Sequence, residues 1–461
     1  MQKRRPARQI IVKLSNERLI TPSGLAIVGG IIGRSDLAKR VDKLAVLSGK
    51  RSPKLIKTSD CFLTYIGMLC QGKPQFEAVK ELLVDPEYYI DALGIKTDIP
   101  SAETLRQRMD AVGALKKYKP DILKANVSMF KQCKIKPSAM KNGYVPGDLD
   151  VSPFDNSKTQ KEGVSRTYKG TDGYAPMFGY IGTEGYLADL ELRPGKQHSQ
   201  KGTPEFLKEY LGQCHKLTDE KLLIRMDSGN DAAVNLGILI EDGSWFIIKR
   251  NMRSAETKED WLALVKDFCI DIHKPRDGKT VYVGSSWKQV TYIGSDGKEH
   301  QHTIRIVYEV IERTTDKYGQ FLMTPDIEVN TWWVNVDFSD DEVIESYHQH
   351  GEMEQYHSEI KTDMDIERLP SGKFDTNELV LELTILAYNI LRIIGQQSLD
   401  NRLSPKSKRN INRRRLRTVI SNLILIAGHV TEHAHRTILA LGQSNLWRFV
   451  FMDLYEQFAT S

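Results

Sequence analysis

The chain has 461 residues and a formal net charge of +5, with 40% hydrophobic and 27% charged residues. This composition is typical of a folded globular protein and excludes a generally disordered chain. The length exceeds what one hydrophobic core usually serves, so we expect two to four domains.

The cysteines and the apolar segments predict a reduced, cytoplasmic setting without membrane contact. Five cysteines are scattered without a CxxC pair, which argues against disulfides and against a zinc knuckle. The basic start, MQKRRPARQIIVKLS, precedes no long apolar run, so we expect no secretory signal. The most apolar stretch, LVLELTILAYNILRIIG, contains Glu382, Asn389 and Arg392, and these polar groups predict a buried helix rather than a membrane span.

Residues 1–140 are predicted to be mostly helical. TPSGLAIVGGIIG and SDLAKRVDKLAVL predict two short helices with a tight turn between them, and SAETLRQRMDAVGALKKY predicts a third. This arrangement suits a helix-turn-helix DNA-binding region and also any small helical bundle.

Residues 141–252 are predicted to form an α/β segment. YVPGDLDVSPFD predicts a short strand and YAPMFGYIGTEGYLADLELRPG predicts a hairpin, after which helical and strand patterns alternate. Residues 253–338 are β-rich, with turns at SDGK and TDKYG, and this texture predicts an inserted β domain.

The remaining chain is predicted to be helical. In residues 339–400 a long helix begins with Ser339 and Glu342 in capping-box spacing. Residues 401–461 include RLSPKSKRNINRRRLR, which has eight Lys or Arg residues and no acid. Such a run is either a solvated linker or a contact for a polyanion such as nucleic acid, and charge alone does not choose.

The stretch YHQHGEMEQYHSEIK contains three glutamates and three histidines, and helix geometry separates them. At roughly 100° per residue, one face about 80° wide carries five residues: Tyr347, His350, Glu354, His357 and Lys361. Glu352 and Glu359 fall on the far side. The spacing lacks HExxH, which excludes the usual helical zinc site.

Strand ends supply further carboxylates. Asp148 and Asp150 lie two residues apart on one face of a predicted strand, and Asp227 follows an apolar strand at a glycine turn. Each alone is read most simply as an aspartate that caps a turn. Two strand-end aspartates and a helix-face glutamate together can hold two Mg²⁺ ions for phosphoryl transfer. Lys361 as a point charge, with Tyr347 and His350 as donors, then suits a phosphate ester.

The motif Y-x2-H-x3-E-x6-K, from Tyr347 to Lys361, resembles the Tyr-Arg-Glu-Lys signature of bacterial cut-and-paste DDE transposases. DLDVSPFDNSKTQKEGVSRTYKGTDGYAPMFGYIG and IRMDSGNDAAV resemble the first two catalytic blocks of the insertion-sequence-1380 group. The resemblance implies an α/β fold with an RNase-H-like core, divided as 141–252 and 339–400 and interrupted by a β-rich insertion domain at 253–338. An N-terminal helical DNA-binding region (1–140) and a basic helical C-terminal region (401–461) would flank it.

The resemblance also implies the roles of individual residues. The catalytic, metal-binding triad would be Asp150, Asp227 and Glu354, holding two Mg²⁺ or Mn²⁺ ions. Asp150 is preferred over Asp148 because the family places Ser or Thr two residues after the aspartate, as Ser152 does here, and Asp148 stays an alternative. The implied DNA contacts are Tyr347, His350, Lys361, Arg413, Arg414 and Arg415.

Two features depart from that pattern or leave alternatives open. His350 stands where the signature has arginine, and imidazole cannot bind phosphate bidentately. In relatives that excise through DNA hairpins an aromatic residue of the insertion stacks on a flipped base. The candidates here are Trp287, Trp332 and Trp333, for which a position in the core is the alternative.

The sequence therefore predicts a transposase that binds terminal inverted repeats of double-stranded DNA, cleaves with metal-activated water and joins the ends to target DNA. The resemblance implies a homodimer in the synaptic complex and a bacterial, nucleoid-associated location. The alternatives are a structure-specific RNase-H-like nuclease or resolvase with the same triad, and a domesticated DNA-binding protein without catalysis.

Overall fold

The computed structural model describes residues 10–44, 55–269, 271–406, 411–434 and 436–459. Within these ranges no helix is both long enough and apolar enough to cross a membrane. The predicted helix SDLAKRVDKLAVL extends past residue 44, so its end lies outside the described residues.

The N-terminal region is helical, as predicted. It comprises β1 (Leu19–Ile20), α1 (Leu25–Gly33), α2 (Leu37–Val41), α3 (Thr58–Leu69), α4 (Pro86–Leu93), α5 (Ala102–Gly113) and α6 (Lys119–Gln132). Local sequence sets these bounds. Ser101 caps α5 by accepting a hydrogen bond from the Thr104 amide at 3.2 Å, and α4 ends at Gly94, whose φ is 68°.

Residues 145–250 alternate strands and helices, and the predicted mixed α/β class is confirmed. The elements are β2 (Val145–Val151), β3 (Phe154–Asp155), β4 (Ser165–Arg166), β5 (Asp172–Tyr174), β6 (Met177–Ile181), β7 (Tyr186–Glu191), α7 (Thr203–Leu217), β8 (Leu222–Met226), α8 (Ala233–Asp242) and β9 (Trp245–Arg250). Strand β8 pairs in parallel with both β2 and β9. It is buried along its length, which explains why its sequence is almost entirely apolar.

The β-rich segment extends this same sheet. After α9 (Lys258–Phe268) come β10 (Asp271–Arg276), β11 (Lys279–Ile293), β12 (Glu299–Thr315) and β13 (Phe321–Val334). Strand β13 pairs with β9, so one nine-stranded sheet runs in the order β10-β11-β12-β13-β9-β8-β2-β6-β7 in the described chain. The β-rich content of this segment was predicted from the sequence. Its continuity with the central sheet was not predicted.

A helical segment follows the sheet. It contains α10 (Asp340–Gln349), a 3₁₀ turn (His350–Glu352), α11 (Met353–Ser358), a π turn (Glu359–Asp363) and then α12 (Phe374–Asp400). The capping box at Ser339 and Glu342 is confirmed. Helix α12 is buried along most of its length and contacts β7, α3, α5 and α6, which confirms the prediction of a buried helix.

The C-terminal region combines helices with a hairpin. It contains α13 (Leu416–Val419), β14 (Gly428–His433), β15 (Arg436–Leu441) and α14 (Arg448–Ala459). The prediction of a helical region was wrong for β14 and β15, because backbone pairing joins β14 to both β15 and β1. One hydrophobic core extends from Ile20 to Phe458 and includes α1, β2, α12 and α14.

Candidate active site

Two aspartates meet at the carboxyl ends of the parallel strands β2 and β8. Leu149 pairs with Met226 in the strand register, so the next residues, Asp150 near the end of β2 and Asp227 just after β8, lie side by side. Neighbouring strands lie about 4.8 Å apart. The side chain of Asp150 is 26% exposed. The predicted proximity of these two carboxylates therefore follows directly from the strand pairing.

The environment of Asp227 raises the pKa of its carboxyl group. Burial and then the charge of Asp150 raise the pKa of Asp227 from 3.8 to about 6, while a hydrogen bond from the Asn230 side chain (2.7 Å) partly opposes the shift. A divalent cation relieves such repulsion, and carboxylate oxygens are the ligands that Mg²⁺ and Mn²⁺ prefer. The donor set thus fits the metal implied by the sequence.

Asp148 is occupied by other side chains. Arg225 donates to both of its oxygens at 2.7 Å, and His350 Nδ1 lies 2.8 Å from Oδ1. The residue is 4% exposed. Burial alone raises the pKa of Asp148, but Arg225 and His350 outweigh it and hold the pKa below its usual value. Of the two aspartates on β2, Asp150 is the one with a carboxylate open to solvent.

The helical segment after the sheet lies against β2. His350 contacts Asp148, His357 Nε2 lies 3.2 Å from Asp150 Oδ2, and Lys361 Nζ donates to the Pro153 carbonyl at 2.7 Å. Three of the five residues of the predicted face, His350, His357 and Lys361, therefore lie against β2 and the residues just after it. The predicted single α-helix is instead interrupted by the 3₁₀ and π turns.

The three glutamates of this segment have different surroundings. Glu354 is exposed, and it lies between His350 and His357 along the chain. Glu359 is 1% exposed and forms ion pairs with Arg392 and Arg413. Glu352 lines a cavity of about 800 Å³ together with Gln349 and Gln355. Glu359 is therefore already engaged by two arginines, whereas Glu352 and Glu354 are both exposed and both lie between the two histidines in sequence.

The three residues predicted to bind metal do not form a compact cluster in this structure. Among the described residues, the one group of three metal-ligating side chains whose ligand atoms lie within 4.8 Å of one another is Asp271, His273 and Asp341, which are all exposed and far from these strand ends in sequence. The oxygens of Asp150, Asp227 and Glu354 do not converge to that distance.

The residues predicted to contact DNA from the helical segment differ in their exposure to solvent. Tyr347 is half-buried, with its ring 5.6 Å from that of Trp332, and burial raises its pKa. His350 is 7% exposed and contacts Asp148. Lys361 is half-buried, and burial lowers its pKa. Tyr347 and Lys361 are therefore more accessible than His350.

The three arginines of the basic run contact the protein itself. Arg413 donates to Glu359 and Gln355 and stacks over the Tyr356 ring at 4.4 Å. Arg414 is buried and donates to Ser398 and Ser404. Arg415 donates to Asp363 at 2.8 Å and 3.1 Å, and 51% of its side chain is exposed. Only Arg415 of these three presents much of its side chain to solvent.

The three tryptophans divide in the same way. Trp332 and Trp333 are 1% and 3% exposed, and Trp333 Nε1 donates to Asp231 at 2.9 Å, so both lie in the core. Trp287 is 68% exposed and lines a cavity of about 450 Å³ together with Trp245. Trp287 is the one of these three whose ring is available for stacking.

Several residues around the site were not singled out from the sequence. The Tyr180 hydroxyl lies 3.1 Å from His357 Nδ1. Tyr168 donates to the Val151 carbonyl at 3.1 Å, and burial, Asp150 and Asp227 raise its pKa to about 12. Nothing in the local pattern points to these tyrosines. Arg225 did carry a signal, because it precedes Asp227 by two residues and so shares its face of the strand.

The chain is similar to one protein family and to a solved structure. The model of a family described as "Transposase DDE domain group 1" matches residues 3–461. A solved structure, "Cryo-EM structure of piggyBac transposase synaptic complex with hairpin DNA", is similar with a TM-score of 0.40 and 10% sequence identity, over 89% of this chain and 82% of that chain. No curated protein matches the sequence.

Proposed function

The chain belongs to the family described as transposase DDE domain, group 1, and from that premise we propose that it cuts transposon ends from DNA and joins them to a target. The observation that carries the proposal is the pair of carboxylates, Asp150 and Asp227, at the ends of two parallel strands. Glu354 on the adjoining helical segment would complete the triad. The core would be RNase-H-like, and the element a bacterial insertion sequence of the insertion-sequence-1380 group.

Asp150, Asp227 and Glu354 would hold two Mg²⁺ or Mn²⁺ ions. The raised pKa of Asp227 supports this assignment, because it reflects a half-buried carboxylate beside a second one. When bound, such ions activate the attacking water or hydroxyl and stabilise the leaving oxygen of the phosphodiester. Asp148 is less suited to this role, since Arg225 and His350 already occupy both of its oxygens.

His357 would hold Asp150 in position. Because a carboxylate only accepts hydrogen bonds, His357 Nε2 carries the hydrogen that it shares with Asp150, and Nδ1 accepts from the Tyr180 hydroxyl. Burial lowers the pKa of His357, which favours this neutral form. The imidazole thereby leaves the charge of Asp150 free for a cation.

Tyr347, Lys361 and Arg415 would contact the DNA backbone. The Lys361 ammonium has three donor hydrogens, and Pro153 accepts only one of them. Arg415 is held by Asp363 and still half exposed. Residues 1–140 would bind the terminal inverted repeats, and two copies of the chain would hold two ends in a synaptic homodimer. Trp287 would stack on an unpaired base.

The test is cleavage of labelled duplexes that tile the DNA flanking the coding sequence, in Mg²⁺ or Mn²⁺. We expect specific cleavage by the parent chain, and its loss in Asp150→Asn, Asp227→Asn and Glu354→Gln. Glu352→Gln is the matched control, because it changes an exposed glutamate two residues away in the same segment. Activity that survives Glu354→Gln and fails in Glu352→Gln would refute the assignment of the glutamate.

The same assay separates the alternatives. Cleavage followed by joining of the free 3′-hydroxyl to a second duplex supports a transposase. Cleavage of branched DNA without preference for the element ends would indicate a nuclease or resolvase instead. Tight, specific binding without cleavage in either metal would indicate a domesticated DNA-binding protein.

A further inference from the structure

A buried network joins the three elements that carry the proposed triad. Asp148 lies on β2, Arg225 on β8 and His350 in the 3₁₀ turn of the helical segment, and we call these three residues the Asp148 network. Arg225 also donates from Nη1 to the Ser346 carbonyl of α10 at 2.7 Å. All three network residues are less than 8% exposed.

The network repeats the spacing of the triad. Asp148 and Arg225 are direct partners in the β2–β8 register, and the next residues on the same face are Asp150 and Asp227. His350 precedes Glu354 by four residues, about one helical turn. Asp148 and Arg225 therefore precede Asp150 and Asp227 by two residues each, and His350 precedes Glu354 by four.

We propose that Asp148, Arg225 and His350 are positioning residues that fix the mutual register of the three carboxylates, an inference that rests on the proposed function. A change in register between β2 and β8, or a rotation of the helical segment, would break the hydrogen bonds of Asp148. These bonds therefore oppose any displacement of Asp150, Asp227 or Glu354 relative to one another. The fully engaged oxygens of Asp148 explain why an aspartate so close to the metal site is not itself a ligand.

The network also explains the histidine at position 350. Arg225 already supplies one full positive charge to Asp148 at a site that is 4% exposed. A second guanidinium would place two buried cations against one carboxylate, which is unfavourable without further partners. An imidazole offers this carboxylate a single donor, Nδ1, and lacks the obligatory charge and the forked donor set of a guanidinium. His350 thus acts within the protein, which leaves phosphate contacts to Tyr347 and Lys361.

The test is Mn²⁺ binding to the full chain, followed by electron paramagnetic resonance, with a thermal melt as the check on folding. We expect His350→Ala to weaken Mn²⁺ binding by about 10–100-fold, the usual effect of losing a residue that orients a ligand. His350→Gln keeps an amide donor for Asp148 and should recover most of the affinity. Asp340→Asn is the matched control, because it breaks an ion pair at the start of the same segment with Arg305, which lies on β12 and not on β2 or β8.

A second variant covers the case in which His350→Ala does not fold. Asp148→Asn combined with Arg225→Gln removes both buried charges together, so no unpaired charge remains, and it should fold and bind Mn²⁺ as weakly as predicted for His350→Ala. Parent-like Mn²⁺ affinity in either variant, with loss in Asp150→Asn, would overturn the positioning role and leave the proposed function intact. Parent-like affinity in Asp150→Asn would instead refute the proposed metal site.

Discussion

Replacing Glu359 with glutamine should destabilise the whole protein, although this residue stands only five positions from Glu354. Glu359 is 1% exposed and accepts hydrogen bonds from Arg392, Arg413 and the Leu416 amide, the last at 3.1 Å. Arg392 is fully buried, and glutamine would leave its charge unbalanced. Breaking a buried ion pair from one side costs about 3–5 kcal/mol.

The expected shift in melting temperature follows from the size of the chain. Unfolding entropy is about 2.1 cal/mol/K per residue, which gives roughly 1 kcal/mol/K for 461 residues. A loss of about 3–5 kcal/mol therefore lowers the melting temperature by about 3–5 °C if the chain unfolds as one unit.

The assay is differential scanning calorimetry of the parent, Glu359→Gln and the control Glu352→Gln. The control changes an exposed glutamate of the same segment and should stay within about 0.5 kcal/mol of the parent. If Glu359→Gln melts within 1 °C of the parent, roughly the effect of a surface change, the reasoning about the buried charge is wrong.

Three further predictions concern the site. The pKa of Asp227 is raised to about 6 in the folded chain, so the protonated carboxyl group stabilises the fold fully below about pH 3.8, and this stabilisation is lost as pH rises through 6. Asp227→Asn should therefore stabilise the metal-free protein at pH 8, by at most about 3 kcal/mol in the free energy of unfolding, and leave its stability unchanged at pH 3.5. Differential scanning calorimetry at the two pH values measures this as a higher melting temperature at pH 8 only. Added Mg²⁺ should raise the melting temperature of the parent at pH 7.5 and not that of Asp150→Asn, and equal shifts in both would place the ion elsewhere. Trp333→Ala should cost about 3–5 kcal/mol in denaturant titrations because the ring is buried, whereas Trp287→Ala should leave stability within about 0.5 kcal/mol and reduce processing of DNA ends that carry an unpaired base.

The positions of the aspartates on their strands could be predicted from the sequence, because they depend on residues close together in the chain. Alternation along a strand placed Asp148 and Asp150 on one face, and an apolar run ending in Asp227 marked the end of a second strand. Parallel pairing then brings such ends together. The capping box at Ser339 likewise depends on residues three positions apart, and it formed as predicted.

The remaining features depend on partners distant in sequence. The basic run has the same charge whether it contacts DNA or Glu359 and Asp363, and only packing shows that Arg413 and Arg415 use those carboxylates. The 3₁₀ and π turns in the helical segment are local departures that helix periodicity does not reveal. Strands β14 and β15 lie in a region that the sequence predicted to be helical, and they are held by pairing with each other and with β1, which is distant in sequence.

The pairing of β1 with β14 joins the N-terminal region to the C-terminal region. Gly30 of α1 lies so close to α14 that a Cβ there would come within 2.9 Å of the Phe458 and Ala459 backbones. Among the described residues, α1 and α14 therefore pack together, and a fragment that stops at residue 140 would expose the part of α1 that α14 covers. If the N-terminal helices bind DNA as proposed, we expect binding to require β14 and α14 as well, because these elements pack on β1 and α1.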